Sequence, residues 1–299
     1  SVASRGLGDV YKRQVLAGAR FLHQLNQYSI LPILGVINAY AALLAEKAGA
    51  SCIYLSGAGV ANACFGLPDL AMTSLNEVVD EARKITECCS LPLLVDIDTG
   101  FGSILNVQRS IKMMQNAGVA AVHIEDQQFE KRCGHLEGKQ LVSAKLMGDR
   151  IKAAVDARSG HDMLIMARTD ALANESLSAV LARIHYYLEQ GADLIFLEAI
   201  TNPEDLKFIA QQIQSPVLVN STEFGKTAIQ SQAYWESYGA KMILYPLTAF
   251  RAMAKTALEV YQTIIQTGSQ ESLIAKCQTR QELYDILNYS HYEQLLKTE

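Results

Sequence analysis

The feature that most constrains this chain is an eightfold cycle. From about residue 32 a short apolar run rich in Val, Ile and Leu gives way to a helical stretch, and the cycle restarts. The runs are Pro32–Asn38, Cys52–Gly57, Leu91–Asp98, Ala121–Asp126, Met163–Asp170, Leu194–Ala199, Pro216–Thr222 and Lys241–Pro246. Short continuous runs of this kind suit parallel strands buried on both faces. Between them lie helical segments such as Ala39–Ala48, Leu75–Cys88, Ile104–Ala117, Ala144–Arg158, Leu177–Gln190 and Glu204–Gln214. Gly49, Gly118, Gly191 and Gly239 stand where helix ends turn into strands. Eight βα units without a long linker predict a closed (β/α)₈ barrel, one domain spanning residues 15–299. An open doubly wound sheet is the competing arrangement, but no Gly-x-Gly-x-x-Gly follows the first run. Beyond the eighth run, Ala252 to about Gly268 and Thr279–Leu296 form a helical tail longer than one barrel helix requires. It is expected to pack on a neighbouring subunit or to close the barrel mouth.

Composition narrows the function. An apolar fraction of 49% in 299 residues supplies a large core and excludes disorder for the bulk of the chain. A net charge of −5 argues against a general nucleic-acid binder, yet a few local arginines can still hold a small anion. No run of apolar residues is long enough to span a membrane, and a cytoplasmic location is expected. The six cysteines show no Cys-x-x-Cys pair and read as reduced thiols. Cys52, Cys64, Cys88, Cys89 and Cys277 are read as small buried hydrophobes. Ser1–Gln14 has no amphipathic period; its Asp9–Gln14 string resembles a translated sequencing adaptor, so the segment reads as non-native or disordered.

Active sites of such barrels lie at the C-terminal ends of the strands. Polar residues collect there in i, i+2 pairs, which share a face of a strand. Five of the six pairs are Tyr54/Ser56, Asp96/Asp98, His123/Glu125, Arg168/Asp170 and Asn220/Thr222, and Phe196/Glu198 completes the set. Salt bridges that merely lock the barrel are the plainer explanation for some of them, Asp170 above all. Asp96 and Asp98, with Glu125 on the next strand, form a hard-oxygen set suited to Mg²⁺ or Mn²⁺. His123 reads as a hydrogen-bonded neighbour rather than a ligand. The loop Asp126–His135 is long for a βα connection. Within it Cys133 follows Lys131 and Arg132 and precedes His135, a setting that depresses a thiol pKa and readies it for proton transfer.

These motifs resemble the isocitrate lyase and phosphoenolpyruvate mutase superfamily. The matching stretches include Lys131-Arg132-Cys133-Gly134-His135, Gly66-Leu67-Pro68-Asp69, Asp96-Ile97-Asp98-Thr99-Gly100-Phe101-Gly102 and Ala167-Arg168-Thr169-Asp170, and the likeness runs from about Ala17 to the C-terminus. It implies Mg²⁺-dependent cleavage of 2-methylisocitrate to pyruvate and succinate, in the methylcitrate cycle of propionate catabolism. It also implies a homotetramer whose last helix is exchanged between subunits. Carried over residue by residue, Asp96 and Asp98 hold the metal, with Asp69 and Glu125 around its waters. Ser56, Gly57, Ala58, Gly134, Arg168, Glu198, Asn220, Ser221, Thr222, Arg251 and Arg280 line the substrate. Cys133, Tyr54, His135 and Lys131 are the catalytic candidates, with Cys133 as proton donor and Tyr54 or a metal-bound water as base.

Departures from the family pattern bear on substrate preference. Ala58 stands where relatives often have Gly, and Ser221 where they have an aliphatic residue. Ile97 replaces a smaller residue and is expected to face outward. Other readings are a dimethylmalate or isocitrate lyase, an oxaloacetate decarboxylase, a phosphonomutase, or a non-catalytic metabolite-binding barrel. The Cys133 motif counts against a mutase.

Overall fold

A computed structural model describes residues 16–129, 131, 134–135, 138–160 and 163–297. Ser1–Gln14, and with them the reading of that stretch, lie outside the described residues. Eight parallel strands close a barrel in chain order: β1 (Leu31–Val36), β2 (Ile53–Leu55), β3 (Leu93–Asp96), β4 (Ala121–Glu125), β5 (Leu164–Thr169), β6 (Leu194–Leu197), β7 (Val217–Asn220) and β8 (Met242–Tyr245). The last strand pairs back onto the first, Leu31 opposite Met242 and Leu34 opposite Tyr245. The expected barrel is therefore the observed one.

Period-two alternation separates two cores. Leu31, Ile33, Leu94, Met166, Phe196 and Leu244 point inward and fill the barrel. Phe21 and Leu25 of α1 (Ala17–Gln27) join that inner cluster. Ile53, Leu55, Val95, Ile124, Ile165 and Val219 point outward into the helical layer. Ile97 is fully buried in the outer cluster, as its position in the alternation requires. The surrounding helices are α2 (Ala39–Lys47), α3 (Gly57–Phe65), α4 (Leu75–Cys88), α5 (Ile104–Asn116), α6 (Ala144–Ala157), α7 (Leu177–Glu189), α8 (Pro203–Gln212) and α9 (Gln232–Ser237). Most start on Ser or Asn caps: the side chains of Asn38, Ser74, Ser143, Ser176, Asn202 and Ser231 accept from first-turn N–H groups.

Two differences from the sequence pattern matter for function. The strands stop short of the polar residues that end several runs. Asp98 and Ala199 leave the ladder with positive φ (48° and 56°), and Ser56 becomes the N-cap of α3. Helix α3 is itself unexpected, because Gly57 and Gly59 disfavour helix. Gly57 packs closely, since a Cβ there would stand 3.2 Å from carboxylate oxygens of Asp96 and Asp98, whereas Gly59 has room for one. A Cβ on Gly59 would touch Leu247, Ser56 and Ile37 at 3.4–3.6 Å.

The C-terminal tail begins earlier than expected. Helix α10 (Thr248–Thr267) ends at Gly268, whose φ of 70° supplies the left-handed cap. The Thr279–Leu296 stretch divides into α11 (Arg280–Ile286) and α12 (Tyr289–Leu296), broken at Asn288 with φ 52°. None of these three helices contains a buried residue, and Leu258, Tyr261, Ile265, Tyr292 and Leu296 are exposed. The cysteines need a correction. Cys52 and Cys89 are buried, but Cys64, Cys88 and Cys277 are exposed. Cys64 and Cys88 fall in the last turns of their helices, where one turn reaches the surface while its neighbour Cys89 turns inward.

Gly35 has no room for a side chain. A Cβ there would lie 1.7 Å from the carbonyl oxygen of Pro246 and 2.8 Å from that of Tyr245. Backbone cannot yield as a side chain can, so Gly35→Ala is expected to cost on the order of 3 kcal/mol or more. Urea unfolding checks this; a loss below about 1 kcal/mol would contradict the packing described.

Candidate active site

The mouth of the barrel is organised around a buried guanidinium. Arg168, near the end of β5, is 7% exposed. It donates to Asp170 through Nε at 2.9 Å and Nη2 at 3.2 Å. Its Nη1 lies 3.3 Å from Glu125 Oε2, and its Nη2 lies 3.3 Å from Glu198 Oε2. Strand register explains the convergence: Glu125 pairs with Arg168 across β4–β5, and Arg168 pairs with Phe196 across β5–β6. The guanidinium also rests 5.2 Å from the centroid of the Phe196 ring.

A second cluster forms where β3 ends. Asp96 Oδ1 accepts from the N–H of Asp98, and Asp96 Oδ2 accepts from the first N–H of α3, at Gly57, 3.2 Å away. Lys131 Nζ reaches Asp98 Oδ1 at 2.7 Å and also bonds Asp69. Burial raises the Asp96 carboxyl, but His123, Lys131 and Arg168 outweigh it and hold it below the usual range. Asp98 is pushed up to about 6, since burial exceeds the pull of Lys131. Lys131 is buried, which alone would lower it, yet Asp98 and Asp96 keep it well above the usual lysine value. Below these groups, Tyr54 and His123 stack with centroids 5.7 Å apart and share a 2.9 Å hydrogen bond. Burial pushes His123 down to about 4 and Tyr54 well up. The imidazole is therefore neutral at pH 7 and the phenol keeps its proton.

Described residues of the long segment after β4, Lys131, Gly134 and His135, reach this floor. Its base is fixed by an isolated bridge between Gln127 and Leu141, with Gln128 N donating to Gln140 O and Val142 N to Asp126 O. His135 Nδ1 accepts from the N–H of Lys226 at 3.0 Å, which places the ring proton on Nε2, facing Glu198 Oε1 at 3.1 Å. Glu198 is buried, but Arg168 and His135 hold its carboxyl down to about 2. Asn220 Nδ2 donates to both Glu198 oxygens at 3.3 Å. Gly134 sits directly on this wall: a Cβ there would meet Arg168 and Glu198 at 2.5 Å. Cys133 and Arg132 lie outside the described residues.

The remaining candidates divide by position. Gly57 and Ala58 open α3, and Ser56 caps it. Ser221 and Thr222 are buried just past β7. Arg251, in the first turn of α10, is exposed and donates to Glu223 O at 2.8 Å. Arg280, first residue of α11, is exposed and makes no side-chain hydrogen bond or ion pair among the described residues. Sequence reasoning passed over two supports. Asp126 faces the outer layer, where Thr169, Tyr187 and the N–H of Asp170 all donate to its carboxylate. Lys139 is buried against Asp170. Both sit beside recognised motifs, and a polar residue one position out of phase is the signal that could have marked Asp126.

The oxygen groups suit a divalent cation. A Cβ on Gly57 would stand 3.2 Å from both Asp96 Oδ2 and Asp98 Oδ1, so the two carboxylates converge. Glu125 is buried, with no hydrogen-bond donor among the described residues for either oxygen, and burial raises it well above the usual range. No three His, Cys, Asp or Glu among the described residues close on one point. Two aspartates plus retained waters is the arrangement this donor set fits, a habit of Mg²⁺.

The buried imidazole makes a pH prediction. The folded chain refuses a proton at His123 until about pH 4, whereas an unfolded histidine takes one near 6.5. Stability from this residue is thus lost as pH falls from about 6.5 toward 4, by about 3 kcal/mol. Relative to His123→Asn, the wild-type unfolding free energy is expected to drop by that amount between pH 7 and pH 4. Parallel profiles in chemical denaturation would contradict a neutral buried His123.

Comparison with known proteins places the geometry. Residues 20–265 match the family model described as phosphoenolpyruvate phosphomutase. A 2-methylisocitrate lyase of Shewanella oneidensis is 49% identical over 280 residues, 94% of this chain and 96% of that protein. A 2-methylisocitrate lyase of Escherichia coli is 50% identical, covering 93% of this chain and 95% of its own length. Among solved structures, a 2,3-dimethylmalate lyase of the PEP mutase/isocitrate lyase superfamily superposes with a TM-score of 0.87 at 32% identity, over 94% of this chain and 95% of that one.

Proposed function

Because this chain belongs to the phosphoenolpyruvate phosphomutase family, in the superfamily that includes the isocitrate lyases, we propose that it cleaves 2-methylisocitrate to pyruvate and succinate. The observation that carries this reading is the end-to-end match to 2-methylisocitrate lyases at about half identity. The site chemistry supports it. The substrate is a tricarboxylate with a hydroxyl beside one carboxylate, and the mouth combines a fixed guanidinium with a hard-oxygen cation site.

Asp96 and Asp98 would hold Mg²⁺, with Asp69 and Glu125 around its waters. Bound there, the ion supplies Lewis acidity toward the substrate hydroxyl and its neighbouring carboxylate. Arg168 binds a substrate carboxylate, aimed by its bidentate contact with Asp170. Asn220, Ser221, Thr222 and the backbone at Ser56, Gly57, Ala58 and Gly134 complete the lining. Arg251, tethered to the Glu223 carbonyl, and Arg280 stand exposed where anionic ends of the ligand would meet them. Cleavage breaks the carbon–carbon bond beside the hydroxyl. The hydroxyl loses its proton and becomes the pyruvate carbonyl; the electron pair stays on the succinate carbon.

Cys133 donates the proton that completes succinate. Its cationic sequence neighbours favour a thiol that shuttles protons near neutral pH. Lys131 remains an ammonium and balances the aspartates. His135 directs its Nε2 proton at Glu198 and fixes that carboxylate. Tyr54 keeps its proton, so it serves as a donor and removal of the hydroxyl proton falls to another base. The exposed apolar faces of α10 and α12 support a homotetramer with helix exchange. Among the described residues no helix is long and apolar enough to cross a membrane, which accords with a cytoplasmic enzyme of propionate catabolism.

A coupled assay of pyruvate against glyoxylate release, run on 2-methylisocitrate, isocitrate and 2,3-dimethylmalate, tests the reading. Pyruvate from 2-methylisocitrate is expected as the preferred reaction. Preferred glyoxylate release, or faster turnover of dimethylmalate, would overturn it. Cys133→Ser is expected to lower turnover by about 10²–10⁴-fold with Mg²⁺ affinity retained in titration calorimetry. Asp96→Ala is expected to abolish metal-dependent turnover, and full wild-type activity in EDTA would remove the metal from the reaction.

A further inference from the structure

Lys139 is an expensive residue in an odd place. It belongs to a polar loop, where a lysine normally extends into water, yet its side chain is 2% exposed. Burying an ammonium carries a large desolvation cost, so its partners must compensate. They are the carbonyl oxygen of Gly134 at 2.6 Å and Asp170 Oδ1 at 2.9 Å. The Lys139 backbone is held as well, since Asn174 Nδ2 donates to its carbonyl oxygen at 3.2 Å.

The consequence lies one residue further in. Asp170 is the bidentate partner of Arg168, and Arg168 also lies 3.3 Å from both Glu125 and Glu198. A guanidinium facing three carboxyl groups has little charge left for an anionic ligand. Glu198 divides its contacts with His135 and Asn220. Asp170, fully buried, shares an oxygen with Lys139: Oδ1 takes both Arg168 Nη2 and Lys139 Nζ.

We propose that Lys139 is a positioning residue: it takes up the charge of Asp170, so that Asp170 aims Arg168 without neutralising it, and it ties Gly134 to the same carboxylate. The substrate carboxylate then meets a guanidinium that is both fixed and still cationic. This deepens the lyase reading and rests on it for the identity of the anion.

The test compares Lys139→Met, Lys139→Arg, Asp170→Asn and the double variant Lys139→Met/Asp170→Asn. The probe is succinate, bound with Mg²⁺ present and followed by titration calorimetry; kcat and KM are measured alongside. Lys139→Met is expected to weaken succinate binding and raise KM about tenfold or more. Lys139→Arg should stay within about threefold of wild type. The double variant should recover affinity relative to Lys139→Met, because removing the Asp170 charge removes the need for the ammonium. A purely packing role gives no such recovery, so a double variant no better than Lys139→Met overturns the proposal. Succinate affinity in Lys139→Met within twofold of wild type does the same. If Lys139→Met does not fold, comparison of Asp170→Asn with the double variant decides. Affinities within threefold support charge balance, and a larger gap refutes it. Binding requires no turnover. A wild-type chain that binds succinate but cleaves nothing would sink the lyase reading alone, and the variant affinities for succinate would still decide the role of Lys139.

Discussion

The barrel mouth depends on one buried cation. Arg168 is placed by strand register beside Glu125 on one side and Phe196 on the other, and it is oriented by Asp170. Several other charged groups at the mouth answer to it. Glu198 is held ionised by it, Asp96 is kept low partly through it, and with Glu198 and Asp170 it crowds the position of Gly134. A guanidinium suits this position, since it stays protonated when desolvated and offers a fork of donors in fixed geometry.

Its surroundings show how a barrel separates stability from chemistry. The inner layers below the mouth are apolar, and the outer faces of the strands pack on helices. At the strand ends the chain leaves the ladder, in places through backbone conformations that most residues avoid. Asp98, Phe101 and Ala199 all have positive φ. Such strain, on the order of 1 kcal/mol or more per residue, persists only where surrounding contacts over-determine it. At Asp98 the carboxylate of Asp96 accepts its N–H and Lys131 holds its side chain. Support also comes from outside the barrel. Asp126 gathers Thr169, Tyr187 and the Asp170 backbone, and Arg150 donates to the carbonyls of Glu125 and Gln127.

Much of this is legible in the residues alone. Eight apolar runs alternating with helical stretches leave few solutions other than a closed barrel, because parallel strands need both faces covered. The i, i+2 pairs at the run ends mark Asp96, His123, Glu125, Arg168 and Asn220 as inward-facing, since a strand sends alternate side chains to opposite faces. The rule weakens one step later. Asp98, Ser56 and Thr222 lie beyond the last ladder residue, and loop geometry, not strand period, aims them. Helix α3 is hidden because local propensity opposes it, and only the tertiary structure shows Gly57 packed close against the carboxylates of Asp96 and Asp98.

The sequence by itself determined the barrel, its strand order and the identity of the groups at its mouth, because alternation and chain-order pairing are local consequences of residue pattern. It also carried the family motifs, Cys133 among them. Only the tertiary structure decided the direction in which Tyr54, His123 and Asp98 are shifted, the burial of Lys139, the partners of Asp126 and the exposure of Cys64, Cys88 and Cys277. Those properties depend on which groups from distant positions share one desolvated space. A pKa or an ion pair is set by that neighbourhood, and no spacing along the chain encodes it.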